Sequence, residues 1–440
     1  MFEGPNSKEG VRSKIVIANN FKFENYRITE LENGLRIISE SIPHFRSISL
    51  GFWIPAGSRN ENPSNNGITH LIEHLLFKGT NKRTYKDIAI SFDSMGAEYN
   101  AFTDKENSCV YADFVDTHLE KCLEILFDVI KNPSFLSENI KLEKKVISEE
   151  IKIVKDNPAD NIFNNFYNIV FNGHPLSLSI LGTKKSLNGL NSEEIRNYFN
   201  SNFSLSGIVL SSAGNIDHSK LVERVRFNLN WVESKLRNQK HVENPKNLVY
   251  KIKKRFYKGK TEASHICYGG IGCNRRSEDR YPLSIFTNIL GGSMSSRLFQ
   301  KIREDKGLSY NIFSSNTQYT DAGIVVIYAA TSTGNVNKVI NLINSEVADI
   351  KKNGIKPEEL EIAKENTKGN IVLGVEDISS RMFRLGKALL VDESVMTIDE
   401  ILGKIDAIKL REVNNVAEKY FRPDEMSLVI IDKTGNGRQK

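Results

Sequence analysis

The chain has 440 residues, 39% hydrophobic and 26% charged, with 60 basic against 54 acidic side chains and a net charge of +6. That length suggests two or three domains, each with its own core; the hydrophobic fraction excludes a disordered chain, and no stretch nears the roughly 20 apolar residues of a membrane helix. The charge is too even and too scattered for a nucleic-acid footprint and points to no partner; neither nucleic acid nor membrane is expected as a partner.

Residues 1–20 are polar and mix Glu3 and Glu9 with Lys8 and Arg12 around one short apolar run, Ile15 to Ala18. This is neither a secretory signal nor an Arg-rich transit peptide. Residues 1–21 are therefore expected to form a flexible arm, and the chain to be cytoplasmic rather than in an organellar matrix. From Tyr26 apolar residues alternate through Ile28, then resume at Leu35, Ile37 and Ile38 beyond Asn33-Gly34, the strongest short hairpin signal. A third strand is predicted over 47–54, then helices over 68–78 and 85–95, the latter with Thr84 as N-cap and Gly96 as stop. Strands over 99–103 and 109–115, long amphipathic helices over 118–130 and 138–154, a strand over 208–213 and a helix over 219–229 complete the unit.

Residues 234–247 are polar and basic, lack an apolar period and contain Pro245; a linker is placed at 236–249. Beyond it the elements start again. Tyr99-Asn100-Ala101-Phe102 reappears as Tyr310-Asn311-Ile312-Phe313, and Val110-Tyr111-Ala112 as Ile327-Tyr328-Ala329, the latter each time before a long helix. The pattern reads as a duplication: two α+β domains, 22–235 and 250–435, each an α/β sandwich-like mixed sheet packed with helices. Cys109, Cys122, Cys267 and Cys273 fall in no paired spacing and are expected to be reduced and buried.

Two of the 8 histidines stand four apart in His70-Leu71-Ile72-Glu73-His74, inside a predicted helix. Residues at i and i+4 share a face one turn apart, close enough for two imidazoles to hold one ion. Glu73 lies on that face as well, placed to act on water as a base without being a ligand. Two surface histidines on an amphipathic helix are the alternative. With Leu71, Ile72, Leu75 and Leu76 on the other faces the helix reads as buried, where unpaired imidazoles would be costly.

A catalytic zinc takes three protein ligands and keeps a fourth position open. The helix over 138–154 offers Glu143, Glu149 and Glu150, with Ile140, Ile147, Ile151 and Val154 marking its buried side. Glu143 and Glu150 are two turns apart on one face, and Glu149 points elsewhere. Glu150 is the expected third ligand and Glu143 the acceptor that orients a ligand histidine. For Glu143, a solvated acid on an ordinary helix competes.

His70 to His74 followed by Phe77-Lys78-Gly79-Thr80, with Val146-Ile147-Ser148-Glu149-Glu150 downstream, resembles the pitrilysin-type inverted-motif zinc peptidases. Among these the chain is similar to the short members: bacterial processing-peptidase-like proteins and the catalytic subunit of mitochondrial processing peptidase. The resemblance runs from Asn33-Gly34-Leu35 to the C-terminal strand. It implies that Glu150 binds the zinc, one ion per chain, and that the two domains form half of a clamshell. It also implies that Asn100, Ala101 and Phe102 lie on a strand that pairs with an extended peptide. In the second domain Arg303 and Tyr310 would hold the substrate and stabilise developing charge, since a guanidinium stays protonated and a phenol donates to an oxyanion. Without the resemblance Arg303 reads as a surface residue and Tyr310 as a strand aromatic.

The second domain departs from the pattern, with Ser284, Thr287 and Asn288 where the first has His70, Glu73 and His74, so no zinc is expected there. The long glycine-rich loop of the noncatalytic processing subunit is missing, and His174-Pro175-Leu176-Ser177 carries Ser where the family has Gly. The expected function is a zinc metalloendopeptidase acting on unstructured peptides or on targeting and pro-peptides, bound in extended form. A homodimer is expected, with Arg303 and Tyr310 acting across its interface. The alternatives are a catalytic-type subunit that needs a noncatalytic partner, and a zinc-containing scaffold or binding protein; a structural site would normally be closed by a fourth ligand, often Cys, and none lies near the motif.

Overall fold

The computed structural model describes residues 15–17, 25–229, 248–392 and 394–435. In the first half, strands β1 (Ile15–Ile17), β2 (Tyr26–Glu30), β3 (Arg36–Ser41), β4 (Ser47–Ile54), β5 (Glu98–Thr103), β6 (Ser108–Val115) and β7 (Val209–Gly214) form one sheet, in the order β1-β2-β3-β7-β4-β6-β5. Strands β3 and β7 run parallel and the other neighbours antiparallel. Gly34 turns the β2–β3 hairpin at φ +82°, where a Cβ would stand 2.9 Å from the Ser206 carbonyl oxygen. Strand β1 falls within the expected arm and pairs with β2. The rest of the arm, and the linker up to residue 247, lie outside the described residues.

The second half carries β8 (Lys254–Lys258), β9 (Ala263–Gly272), β10 (Ser309–Gln318), β11 (Gly323–Ser332) and β12 (Ser427–Asp432), in the order β10-β11-β9-β12-β8 with β12 and β8 parallel. Read from the parallel pair, this is β8-β12-β9-β11-β10. The first sheet without its two added strands is β3-β7-β4-β6-β5. The two orders correspond strand for strand, and the duplication predicted from repeated tetrapeptides is present in the topology. Strands β5 and β10, which carry those tetrapeptides, are the corresponding edges.

One face of the first sheet packs on helices Ile68–Leu76 and Leu119–Lys131, burying Leu50, Phe52, Leu71, Ile72 and Phe127 in a common core. Thr84 caps the helix Tyr85–Asp93 through a reciprocal pair of bonds with Asp87, and Gly96 follows at φ +59°. The opposite face is covered from far along the chain. Helix Ile378–Val391 lies across it, burying Leu385 and Leu389 against Ile38, Trp53, Cys109 and Val209. Two glycines allow the close approach: a Cβ on Gly386 would stand 2.0 Å from Trp53 Nε1, and one on Gly51 2.5 Å from Met382 Sδ.

The loan is returned by helix Pro158–Val170, which sets Ile162, Phe166 and Ile169 against Cys267, Ile324, Val326 and Val429 on the second sheet. Sequence reading missed this helix. Its signals were present: Asn157 accepts from the Ala159 amide at 3.1 Å, Pro158 opens the first turn, and the apolar residues keep helical spacing. Each sheet thus borrows its second layer from the other half of the chain.

The β10–β11 turn plugs into the first half through charges. Arg59 lies 2.5 Å from both Glu106 and Asp321, the Thr320 amide donates to Glu106 at 3.0 Å, and His174 Nε2 is 3.6 Å from Asp321. Although burial opposes it, the His174 hydrogen bond and the Arg59 guanidinium hold the Asp321 carboxyl well below the usual range. His174, in the segment where the family pattern breaks, is therefore a buried contact between the halves. All four cysteines are free and buried, and burial pushes their thiols up. No helix among the described residues is long and apolar enough to cross a membrane.

Candidate metal centre

The histidine helix Ile68–Leu76 begins at a locked N-terminus. Gly67 sits at φ +93°, where a Cβ would meet the Leu181 carbonyl at 2.9 Å. The Glu61 carboxylate, 5% exposed, accepts from the amides of Gly67 (2.8 Å) and Thr69 (2.9 Å) and from Asn66 Nδ2 (2.8 Å). It satisfies amides that the helix cannot, and it favours the positive end of the helix dipole. Burial pushes the Glu61 carboxyl up against the pull of those bonds. Glu61 is a functional support that sequence reading missed, because an acid six residues upstream of a helix follows no capping pattern.

His70, Glu73 and His74 meet the helix Ser137–Asp156, which supplies two carboxylates. His74 Nδ1 is 2.9 Å from Glu143 Oε2, and Lys78 Nζ is 2.8 Å from Glu143 Oε1. Glu143, 2% exposed, thereby fixes the His74 tautomer with the proton on Nδ1 and leaves Nε2 with a lone pair. That Nε2 lies 3.7 Å from Glu150 Oε1, and His70 Nε2 lies 3.9 Å from Glu150 Oε2. One ligand atom from each of His70, His74 and Glu150 falls within 4.8 Å of the others. These separations are too long for hydrogen bonds. A tetrahedral zinc with bonds of about 2.0–2.2 Å sets its ligand atoms about 3.4 Å apart, so the two imidazole–carboxylate edges need to close by only a few tenths of an ångström to hold the ion. Burial, with His74 adding, pushes the His70 imidazole down to about 4, so this ring is neutral at pH 7 and able to donate a lone pair. His70 Nδ1 is buried and has no hydrogen-bond partner among the described residues.

Glu73 stands beside this triangle. Thr103, at the end of β5, donates to Glu73 Oε2 at 2.6 Å. Burial pushes the Glu73 carboxyl up, Thr103 and His74 draw it down, and Glu150 adds to the rise. Glu149 faces solvent and pairs with Lys152 at 2.5 Å.

The other predicted residues take different places. Asn100, Ala101 and Phe102 lie on β5, the free edge of the first sheet, which passes the site through Thr103. Ala101 shares the face of Thr103, whereas Phe102 packs at 5.7 Å from Trp53 and 5.8 Å from Phe383 on the opposite face. What the strand offers a peptide is its backbone edge. In the second half, the Arg303 guanidinium lies over the rings of Phe299 at 4.6 Å and Tyr310 at 5.2 Å. Tyr310 is 85% exposed, and within this chain neither residue forms a hydrogen bond or ion pair with His70, Glu73, His74 or Glu150.

Where the second half repeats the site, it does so without charge. Asn288 Nδ2 donates to Asn366 Oδ1 at 2.8 Å, as His74 meets Glu143, and Asn316 Nδ2 donates to Thr287 Oγ1 at 2.9 Å, as Thr103 meets Glu73. Seven residues after Asn366, in the place of Glu150, stands exposed Leu373.

Residues 36–184 match the family described as insulinase, peptidase family M16, and residues 189–367 match the peptidase M16 inactive domain. The chain is 38% identical over 409 residues to an uncharacterised zinc protease of Bacillus subtilis, covering 92% of this chain and 98% of that one. An uncharacterised zinc protease of Streptomyces coelicolor is 33% identical over 417 residues, covering 92% and 89%. Among solved structures, a protease from Helicobacter pylori has the same fold, with a TM-score of 0.84 at 19% identity over 93% of this chain and 100% of that one. Two M16 domains in succession, and relatives aligned almost end to end, place this chain in the insulinase family of peptidases, family M16.

Proposed function

We propose that the protein is a zinc-dependent endopeptidase that cleaves unstructured or targeting-type peptides in extended form. The observation that carries this reading is the convergence of two imidazoles and the Glu150 carboxylate, with a separate half-buried carboxylate, Glu73, beside them. When bound, zinc supplies Lewis acidity towards the scissile carbonyl and lowers the pKa of the attacking water. Glu73, steadied by Thr103, takes the water's proton on its free oxygen and passes it to the leaving amine. Glu143, neutralised by Lys78, keeps the proton on His74 Nδ1. The unpaired edge of β5 holds the peptide by strand addition.

Arg303 and Tyr310 belong to this mechanism from a second chain of a homodimer, where Arg303 fixes the peptide and the Tyr310 hydroxyl donates to the developing oxyanion. Within one chain neither side chain forms a hydrogen bond or ion pair with the metal triangle, and Tyr310 stands exposed where a second chain can meet it, which supports that assignment. The test is direct. Purified protein should contain one zinc per chain, cleave an unstructured peptide, and lose cleavage to a chelator. Glu73→Gln should keep the zinc and lose at least about a hundredfold in kcat. A zinc-loaded chain that cleaves nothing on its own overturns the reading in favour of a subunit that needs a different partner; loss of zinc in Glu73→Gln would make Glu73 a ligand.

A further inference from the structure

A cavity of about 530 Å³ opens between the end of helix Ser137–Asp156, the segment Ser179–Gly182 and the end of β8, and it plays no part in the mechanism above. Val154, on its wall, stands four residues after Glu150 and so one turn along the same helix face. The facing wall includes Leu181 and Gly182, which press on the start of the histidine helix: a Cβ on Gly182 would stand 2.3 Å from the Asn66 carbonyl oxygen. The cavity is thus flanked by two elements, each about one turn from a metal ligand. Helix Pro158–Val170 and the end of β8 close it from the side of the second half.

Its charge is one-sided. Lys155, Lys258 and Lys260 line it, all exposed, against a single carboxylate, Asp156. Some other lysines do pair with a carboxylate, Lys152, Lys364 and Lys368 at 2.5, 3.3 and 2.6 Å. The three cavity lysines have none among the described residues. Three cations lining one cavity reinforce each other's field and attract an anion better than three scattered ones.

We propose that this cavity is a subsite for an acidic stretch of the peptide substrate, whose carboxylates dock on Lys155, Lys258 and Lys260. The proposal rests on the peptidase reading and narrows its substrates to unstructured peptides with an acidic stretch, which Arg-rich targeting peptides lack. An extended peptide rises about 3.3 Å per residue, so a cavity one helical turn from the ligands accepts side chains about two to four residues from the scissile bond.

The probes are fluorogenic unstructured decapeptides, identical except for Glu-Glu or Lys-Lys placed two to four residues from the scissile bond, on either side of it. Exposed ion pairs are each worth a few-fold, so the protein should prefer the Glu-Glu peptide by about tenfold in kcat/KM on one side of the bond, less at high salt. Lys155→Glu/Lys258→Glu/Lys260→Glu should abolish or invert that ratio. An equal ratio in the two proteins overturns the subsite. If no peptide is cleaved, the peptidase reading fails separately. Anisotropy of the same peptides on the zinc-loaded Glu73→Gln chain then decides the subsite alone: Glu-Glu binding about tenfold tighter supports it, and indifference overturns it.

Discussion

Glu143 joins a ligand histidine to a surface lysine, and removing its charge separates the metal's needs from those of the fold. In Glu143→Gln the amide reaches the same place, but it no longer favours a proton on His74 Nδ1 and leaves Lys78 without its partner. Zinc affinity should fall about 10- to 100-fold, read by chelator competition, with little change in melting temperature. Unchanged affinity would make Glu143 an ordinary helix acid, the competing reading of the sequence. At this scale the ligand candidates are legible because helical spacing alone sets two histidines on one face and Glu143 and Glu150 on another. Glu61 and Thr103 are not, since their roles depend on where a loop and an edge strand return in space. Phe102 shows the converse: the strand could be read from sequence, but which face its ring takes could not be read without Phe383.

Among elements, the close seat of helix Ile378–Val391 depends on a missing side chain. A methyl at position 386 would overlap Trp53 Nε1 and displace its hydrogen bond to Ser211, now 3.0 Å. Gly386→Ala should therefore cost about 1–3 kcal/mol through overpacking, measured by urea unfolding, with a shift in tryptophan emission. A neutral or stabilising result, as expected for Ala in an open helix, would show that the helix can lift without loss. The hairpin at Asn33-Gly34 and the Thr84-capped helix are legible because turns and caps are local signals. The exchange of helices is not, because an amphipathic stripe states that a face is buried but not against which sheet. The repeated tetrapeptides reveal the duplication only because both stand on corresponding edge strands.

For the whole molecule, the halves are joined by ions as well as by helices. The Asp321 carboxyl is held below its unfolded value, so its contribution is complete above about pH 4 and is lost as pH falls through the folded value. Asp321→Asn leaves Arg59 with Glu106 alone and should cost about 1–3 kcal/mol at pH 7. In urea titrations that loss should be constant from pH 8 to about 5 and shrink steadily as pH falls below about 4 towards the folded value; a loss independent of pH would assign it to packing. The proposed dimer is tested by mixing. A Glu73→Gln chain and an Arg303→Ala chain, each inactive alone, should regain up to about a quarter of wild-type activity when co-refolded, the share of sites in a statistical mixture with both defects absent. Silence from proven heterodimers would place Arg303 and Glu73 in one chain's site.

A gene shortened to either half would encode a β-sheet with one bare apolar flank, prone to clump before it could work. The second half, with Ser284, Thr287, Asn288 and Leu373 at the places of the ion-binding groups, is therefore needed for cover although it repeats none of them. The half without the metal triangle stays as cover for the half that carries it.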